Sequence, residues 1–389
     1  MDISFHYFAV KSVALAAGLS ESKAQRLAEF SQFIDDYNWY VYFEAENIPS
    51  YIRDPQLDID LSNNLINPVT TGFSTISDMA TLILDRSQKF TVSPFHFIPQ
   101  NPHSVSCHDR RTVPATLNDD SYISNMLNTL KSDILETRID ENDALMKIGM
   151  LFHTFADTYA HQLFTGYSDK TNSVKIVSVF NNVTQCDETE HYRYWIEKWI
   201  SSIEEVIQTK LPLIGHMAIG HVPDLSHLSF EMEYTSMDGT LCNHMRSNTA
   251  TFITACRELY TYLRQTYPNL SADMSWDNLA EKLIYGFTFD ASKELEENES
   301  AAVRKLSEHW SNTFSENHYS YSYNSEQIKT HFMRSRANTA KTITVDGTEY
   351  QVLSGSYSDD FYKFNLFGNL LLINLYGEHP RRWVSLIEE

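Results

Sequence analysis

The stretch His153-Thr-Phe-Ala-Asp157-Thr-Tyr-Ala-His161 sets two imidazoles and a carboxylate at i, i+4 and i+8. At about 100° per residue the three side chains fall within an arc of roughly 80° on one helix face. Ala144, Leu145, Ile148, Leu151, Phe152, Phe155, Ala156, Tyr159 and Leu163 surround them with helix formers and with apolar residues at helical spacing. The stretch therefore reads as a buried helix, with Asp140 placed to cap its start. Ionisable groups are costly to bury unpaired. A bound metal is the simplest reason for two His and one Asp to share that face.

Working outward, residues 4–17 carry Phe5, Phe8, Val13 and Ala17 at helical spacing and stop at Gly18. Ser20 is placed to cap a helix expected to run to about residue 40, with Ala24, Ala28, Ser31 and Asp35 as its inward stripe. Asp35 lies about 20° from Ala24 around the axis and shares the apolar face, while Asp36 stands about 100° away. Pro49, Pro55 and Pro68 mark 45–75 as loop, and a helix is expected near 76–87. Pro94, Pro99, Pro102 and Pro114 make 93–116 irregular. Further helices are expected near 119–135, 187–210 and 246–265, with two or three more over 276–333. Residues 215–224 are punctuated by Gly and Pro and read as non-regular. Thr342 to Leu353 alternates around Asp346-Gly347, a hairpin signal, and an apolar helix follows over 359–376. The expected fold is mainly α: a helical metal-dependent catalytic domain over 1–335, then a small β-hairpin and closing helix over 336–389.

The 389 residues are 42% hydrophobic, enough for a sizeable core, and carry a net charge of −21. That charge argues against a non-specific nucleic-acid binder and against electrostatic docking on anionic membranes. Clustered divalent ions would offset part of it locally. The longest apolar run, Leu366 to Tyr376, is interrupted by Gly368, Asn369 and Asn374 and is too short to span a bilayer. Lys11 within the first apolar stretch argues against a Sec signal peptide. The expected location is cytoplasmic, or outside the cell as a secreted effector exported on a C-terminal tail such as Glu378 to Glu389. Cys107, Cys186, Cys242 and Cys256 show no metal-ligand spacing and leave the redox compartment open.

The candidate ligands recur along the chain. His6 follows Asp2 by four, Asp35 sits on a buried face, and His96 lies in Pro94-Phe-His-Phe-Ile-Pro99. After His153, Asp157 and His161 come His216, His221 and Asp224 in Gly215-His-Met-Ala-Ile-Gly-His-Val-Pro-Asp224. A His- and Asp-rich set suits zinc or a similar divalent ion in a hydrolytic site. The set exceeds one mononuclear site, which points to two or three ions. His216 and His221 are five apart, so only a loop brings both to one ion. His103 and His108 read as structural, and His191, His227, His244, His309, His318, His331 and His379 as surface residues. Arg246 and Asn248 read as a solvated helix start, and Trp39, Tyr40 and Tyr42 as core.

The ordered set resembles the zinc-dependent phospholipase C and trinuclear zinc nuclease superfamily, and most closely a bacterial group of metal-dependent phospholipases C. The residues that carry this are Asp2-Ile-Ser-Phe-His-Tyr7, Ala16-Ala-Gly-Leu-Ser20, Ser31-Gln-Phe-Ile-Asp-Asp36, Phe95-His-Phe-Ile-Pro99, the His153–His161 stretch and Gly220-His-Val-Pro-Asp224. The resemblance implies one zinc on Asp35, His96, His153 and Asp157. It implies a second on His161, His216 or His221, and Asp224, and a third on His6 and a bridging Asp157. Secreted members place a processed N-terminal Trp at that third ion; Met1 stands here, and Asp2 is the oxygen donor in its stead. The step from Asp157 to His161 is also shorter than theirs.

The function so implied is hydrolysis of the glycerol-side phosphodiester of a phosphatidylcholine-like phospholipid during transient membrane contact. Asp35 or Asp36 would orient or deprotonate the attacking water. Two rivals stand beside it: a zinc nuclease or nucleotidase with the same ligands, and a non-catalytic helical protein with a structural zinc.

Overall fold

The computed structural model describes residues 1–37, 42–46, 48–52, 59–60, 64–72, 87–104, 109–207, 210, 213–236, 238–291, 299–333, 339–345 and 348–377. In chain order the helices of eight residues or more, with the first helix, are α1 (Val10–Ala16, continuing a wider π-helical start over Ser4–Ala9), α2 (Glu21–Asp36), α3 (Tyr122–Leu135), α4 (Glu141–Ala160), α5 (Thr189–Ile207), α6 (Asn248–Thr266), α7 (Trp276–Phe287), α8 (Glu299–Thr313), α9 (Ser325–Phe332) and α10 (Asp359–Tyr376). The strands are β1 (Tyr42–Ala45), β2 (Ile59–Asp60), β3 (Leu65–Ile66), β4 (Lys175–Asn181), β5 (Cys186–Asp187), β6 (Leu228–Thr235), β7 (Leu241–Ser247), β8 (Thr339–Val345) and β9 (Thr348–Gly355).

This corrects the expected mainly α fold with one small hairpin. The chain builds a four-stranded and a five-stranded sheet beside its helices and is mixed α and β. In β6 the alternation Leu228, Phe230, Met232 turns every second residue inward, the period of a strand with one buried face. β1 and β3 arise inside the segment expected to be loop, because Phe43 pairs with Ile66 and, in parallel, with Leu353. The expected helix near 76–87 falls almost wholly outside the described residues, as do Trp39, Tyr40, Cys107, His108, the Asp346-Gly347 turn and the tail from Glu378. Among the described residues no helix is long and apolar enough to cross a membrane.

The chain divides into two compact units, the first Met1–Gln32 with Phe95–Tyr323 and the second Phe33–Pro94 with Asn324–Glu389. The last segment, expected to pack as a hairpin and helix on a domain over 1–335, groups with 33–94 and 324–335.

In the first unit α4 is the axis. Asp140 caps it by accepting from the Asn142 N–H, and Glu141 and Asp143 complement the dipole of its first turn. From Ala144 to Ala160 all residues but Lys147 are buried, the mark of a helix surrounded by protein. It packs on α3 and α6. Gly149 lets α2 approach, since a Cβ there would lie 2.3 Å from the Leu27 carbonyl and 3.1 Å from the Ser31 nitrogen. The antiparallel sheet runs β5-β4-β6-β7.

In the second unit the sheet order is β2-β3-β1-β9-β8, with β1 parallel to β9. Its core is aromatic: Phe33, Tyr37, Phe332, Phe361 and Phe364 meet at ring separations of 4.7 to 6.1 Å.

Candidate metal centre

Three segments of the first unit converge on the end of α4. The start of the chain brings Asp2 and His6, the 95–99 stretch brings His96, and the 215–224 loop brings His216, His221 and Asp224. Among the described residues two groups lie wholly within the first unit, each with ligand-type atoms within 4.8 Å of one another: His6, His153 and Asp157, and His161, His216 and Asp224.

Asp157 touches members of both groups. Its Oδ1 lies 3.1 Å from His6 Nε2 and 2.6 Å from the Met1 amino group. Its Oδ2 lies 3.3 Å from both His153 Nε2 and His96 Nδ1, and 3.7 Å from His161 Nδ1. Asp224 collects His161 Nε2 at 3.1 Å, His216 Nε2 at 3.3 Å and the Met1 amino group at 3.3 Å. His6 and His153 stack with ring centroids 3.8 Å apart, and Phe97 lies against His161 at 4.3 Å.

The outer ring nitrogens set the tautomers. His153 Nδ1 lies 2.8 Å from the Ser31 carbonyl, His161 Nδ1 2.6 Å from the His96 carbonyl, and His216 Nδ1 2.6 Å from the Gly220 carbonyl. A carbonyl only accepts, so each Nδ1 carries the proton, and in the neutral ring Nε2 is left as a lone pair. All three lone pairs then face carboxylate oxygens. That arrangement is repulsive unless a cation, proton or metal, lies between them. A histidine anchored through its far nitrogen is the usual setting of a metal ligand. His6 Nδ1 is buried with no hydrogen-bond partner.

The charge states agree. Burial works against ionising Asp157, but the charges of His161, the Met1 amino group, His153 and His6 outweigh it and hold the carboxyl well below its usual range. Burial is likewise overcome at Asp224, by His216 first and then by the Met1 amino group, His161 and His221. Burial pushes His6 down to about 3 and His216 to about 4. Burial raises Asp2 to about 7, opposed by the adjacent amino group. Ionised Asp157 and Asp224 with neutral His6 and His216 are in the protonation state that a divalent cation requires.

The remaining expected residues take the following places. Helix α4 ends at Ala160, so His161 is its cap rather than a third residue along the face. Asp2 accepts from the Ser4 N–H, and its carbonyl accepts from the Phe5 and His6 N–H groups, so it starts the first helix and belongs to neither ligand group. Asp35 and Asp36 are half-buried in the last turn of α2 and fall in the second unit. His221 lies 3.5 Å from Asp224 Oδ2, but its side chain is 58% exposed and outside both groups. His221 faces Trp195 and Trp199, stacked partners on α5, at 6.0 and 6.1 Å. Exposure rises from His161 through His216 to His221, so the second group opens to solvent past these two indoles. Gly220, at φ +54°, brings the loop against that helix, since a Cβ would lie 3.0 Å from Ile196.

Arg246 and Asn248, expected to be solvated, are buried and bonded to backbone carbonyls around the cluster. His227, expected at the surface, is buried 3.4 Å from Asp290. No local pattern marks Ser31 as a carbonyl acceptor; Gly149 inside an apolar helix is the hint of a close crossing.

Fold and site together define a mixed α/β protein with a buried His–Asp cluster whose geometry could hold metal ions. The chain belongs to a family of unknown function, DUF6765, whose model matches residues 1–368. No curated protein and no solved structure matches it.

Proposed function

We propose that the first unit is a metal-dependent phosphodiester hydrolase acting on a phospholipid, with zinc as the ion its ligands suit. The observation that carries this is the set of three histidines anchored through Nδ1, each turning Nε2 onto an ionised carboxylate. Imidazole and carboxylate donors without thiolate suit zinc in a hydrolytic rather than a purely structural setting. His6, His153 and Asp157 would hold one ion, and His161, His216 and Asp224 another. When bound, such ions supply Lewis acidity toward phosphoryl oxygen and water at neutral pH.

The chain's own residues do the rest. Asp157 ties the two groups together and fixes their spacing. Buried His6 and His153, with Phe97 over His161, keep bulk water from the ligands. His221, Trp195 and Trp199 form the rim that an incoming substrate meets. Indoles favour a group that is apolar at one end and wet at the other, which suits a phospholipid at an interface. The net charge of −21 disfavours a polyanionic substrate.

Metal analysis of the purified protein, with parallel assays on phosphatidylcholine micelles and single-stranded nucleic acid, tests the proposal. Two or more ions per chain and lipid turnover are expected. Activity on nucleic acid alone would move the substrate to the nuclease class. One ion with neither activity would sink the hydrolase reading.

A further inference from the structure

Arg246 is a buried cation of the first unit with all three of its nitrogens engaged. Strand β7 places it opposite Phe230 of β6, with the guanidinium 4.8 Å from the Phe230 ring. Its Nη1 donates to the Tyr159 carbonyl at 2.9 Å and to the Ala160 carbonyl at 2.7 Å. These are the last two carbonyls of α4, where a helix leaves acceptors without N–H partners. The N–H groups that would continue the helix are used elsewhere: Leu163 donates to Thr112 and Phe164 to His161. A cation at this end also suits the helix dipole.

The other side of the guanidinium holds the Asp224 loop. Nη2 donates to the Pro223 carbonyl at 2.8 Å, and Nε donates to Asn248 Oδ1 at 2.9 Å. Asn248 Nδ2 in turn donates to the carbonyls of Val222 and Leu225, both at 2.8 Å. The backbone is therefore gripped immediately before His161 and on both sides of Asp224. Burial pulls Arg246 down to about 9, opposed by Asp224, so the guanidinium is charged at neutral pH.

We infer that Arg246 and Asn248 form a latch that assembles the second ligand group, holding His161 and Asp224 in register before an ion arrives. The inference rests on the metal reading of that group. Arg246 does not touch the ligand atoms; it is a positioning residue acting through backbone carbonyls. Lysine cannot replace it, because a single ammonium lacks the planar fork that reaches carbonyls on two segments at once. In the first group His153 is anchored instead by the Ser31 carbonyl.

Zinc affinity and stoichiometry, read by competition with a chromogenic chelator, test this on the full chain. Asp224→Asn first marks which ion belongs to the second group. In Arg246→Lys that ion should bind about 10- to 100-fold more weakly, the size usual for loss of a ligand's supporting contacts, while the other ion keeps its affinity. Asn248→Ala should show the same selectivity to a smaller degree, and it carries the test if Arg246→Lys does not fold. Equal weakening of both ions, or of neither, overturns the latch with the metal reading intact. A wild-type chain that binds no zinc overturns both.

Discussion

Buried polar groups are handled in opposite ways in the two units. In the second, Asn365 sits in the aromatic core with its amide closed on all sides. Oδ1 accepts from the Val69 N–H at 2.9 Å and the Tyr37 hydroxyl at 3.2 Å, and Nδ2 donates to the Phe361 carbonyl at 2.8 Å. In the first unit His153, His161 and His216 use Nδ1 in the same way but turn Nε2 toward Asp157 and Asp224. Closed polarity fixes a core; ring nitrogens gathered on shared carboxylates offer a place for a cation, proton or metal. That difference separates a structural network from a candidate site, and it does so without reference to any relative.

Asp157→Asn should break the contrast hardest. The amide keeps the shape but loses the charge that members of both ligand groups face. At least one ion should be lost, and turnover should fall on the order of 1000-fold, since metal charge stabilisation is a matter of several kcal/mol. Elemental analysis and the lipid assay read the two effects. Full metal content with full activity would remove Asp157 from the centre.

Asn365→Leu probes the closed network. It removes the oxygen that accepts from the Tyr37 hydroxyl and the Val69 N–H, at about 1–3 kcal/mol for each bond lost. Stability should drop by roughly 2–6 kcal/mol in denaturant unfolding, with the metal count untouched. A change in metal content would mean that the two networks are not independent.

Legibility followed the range of the interactions that form each part. Helix α4 could be read because its period, its Asp140 cap and its ligand spacing are local. β6 also alternates plainly, yet its identity as a strand depends on pairing with β4 and β7. β1 and β3 are four and two residues long, too short to show a period, and β1 exists through pairing with β9, some 300 residues away. The histidine and aspartate identities of both ligand groups were visible as residue types. Their partition was not, because the end of α4 at Ala160 and the Arg246 latch are tertiary facts. A charged residue beginning a helix looks the same in sequence whether it is solvated or buried.

The mildest test is pH, applied to the metal-free protein. His6 and His216 have folded-state values of about 3 and about 4 against an ordinary 6.5, chiefly through burial. As pH falls below 6.5 the unfolded chain takes up protons that these rings refuse in the fold. Stability is therefore complete above that value and declines toward the folded values, by up to about 1.4 kcal/mol per pH unit for each histidine. Asp157 and Asp224 run on a separate scale: held low in the fold, they keep their contribution until the pH drops below roughly 3.9. Between 6.5 and 4 the two histidines outnumber Asp2, which burial raises to about 7 and which therefore adds stability in the fold as pH falls, while Asn365 has no proton to exchange there. Urea unfolding in steps across the interval, in the presence of a chelator, should show a falling midpoint. With zinc bound the fall should steepen, because protons then compete with the metal for the same lone pairs. A flat or rising profile would mean that the rings already share protons with the two carboxylates in the fold. The cluster would then be an ion-pair network as closed as the one around Asn365, and the contrast between the units would disappear.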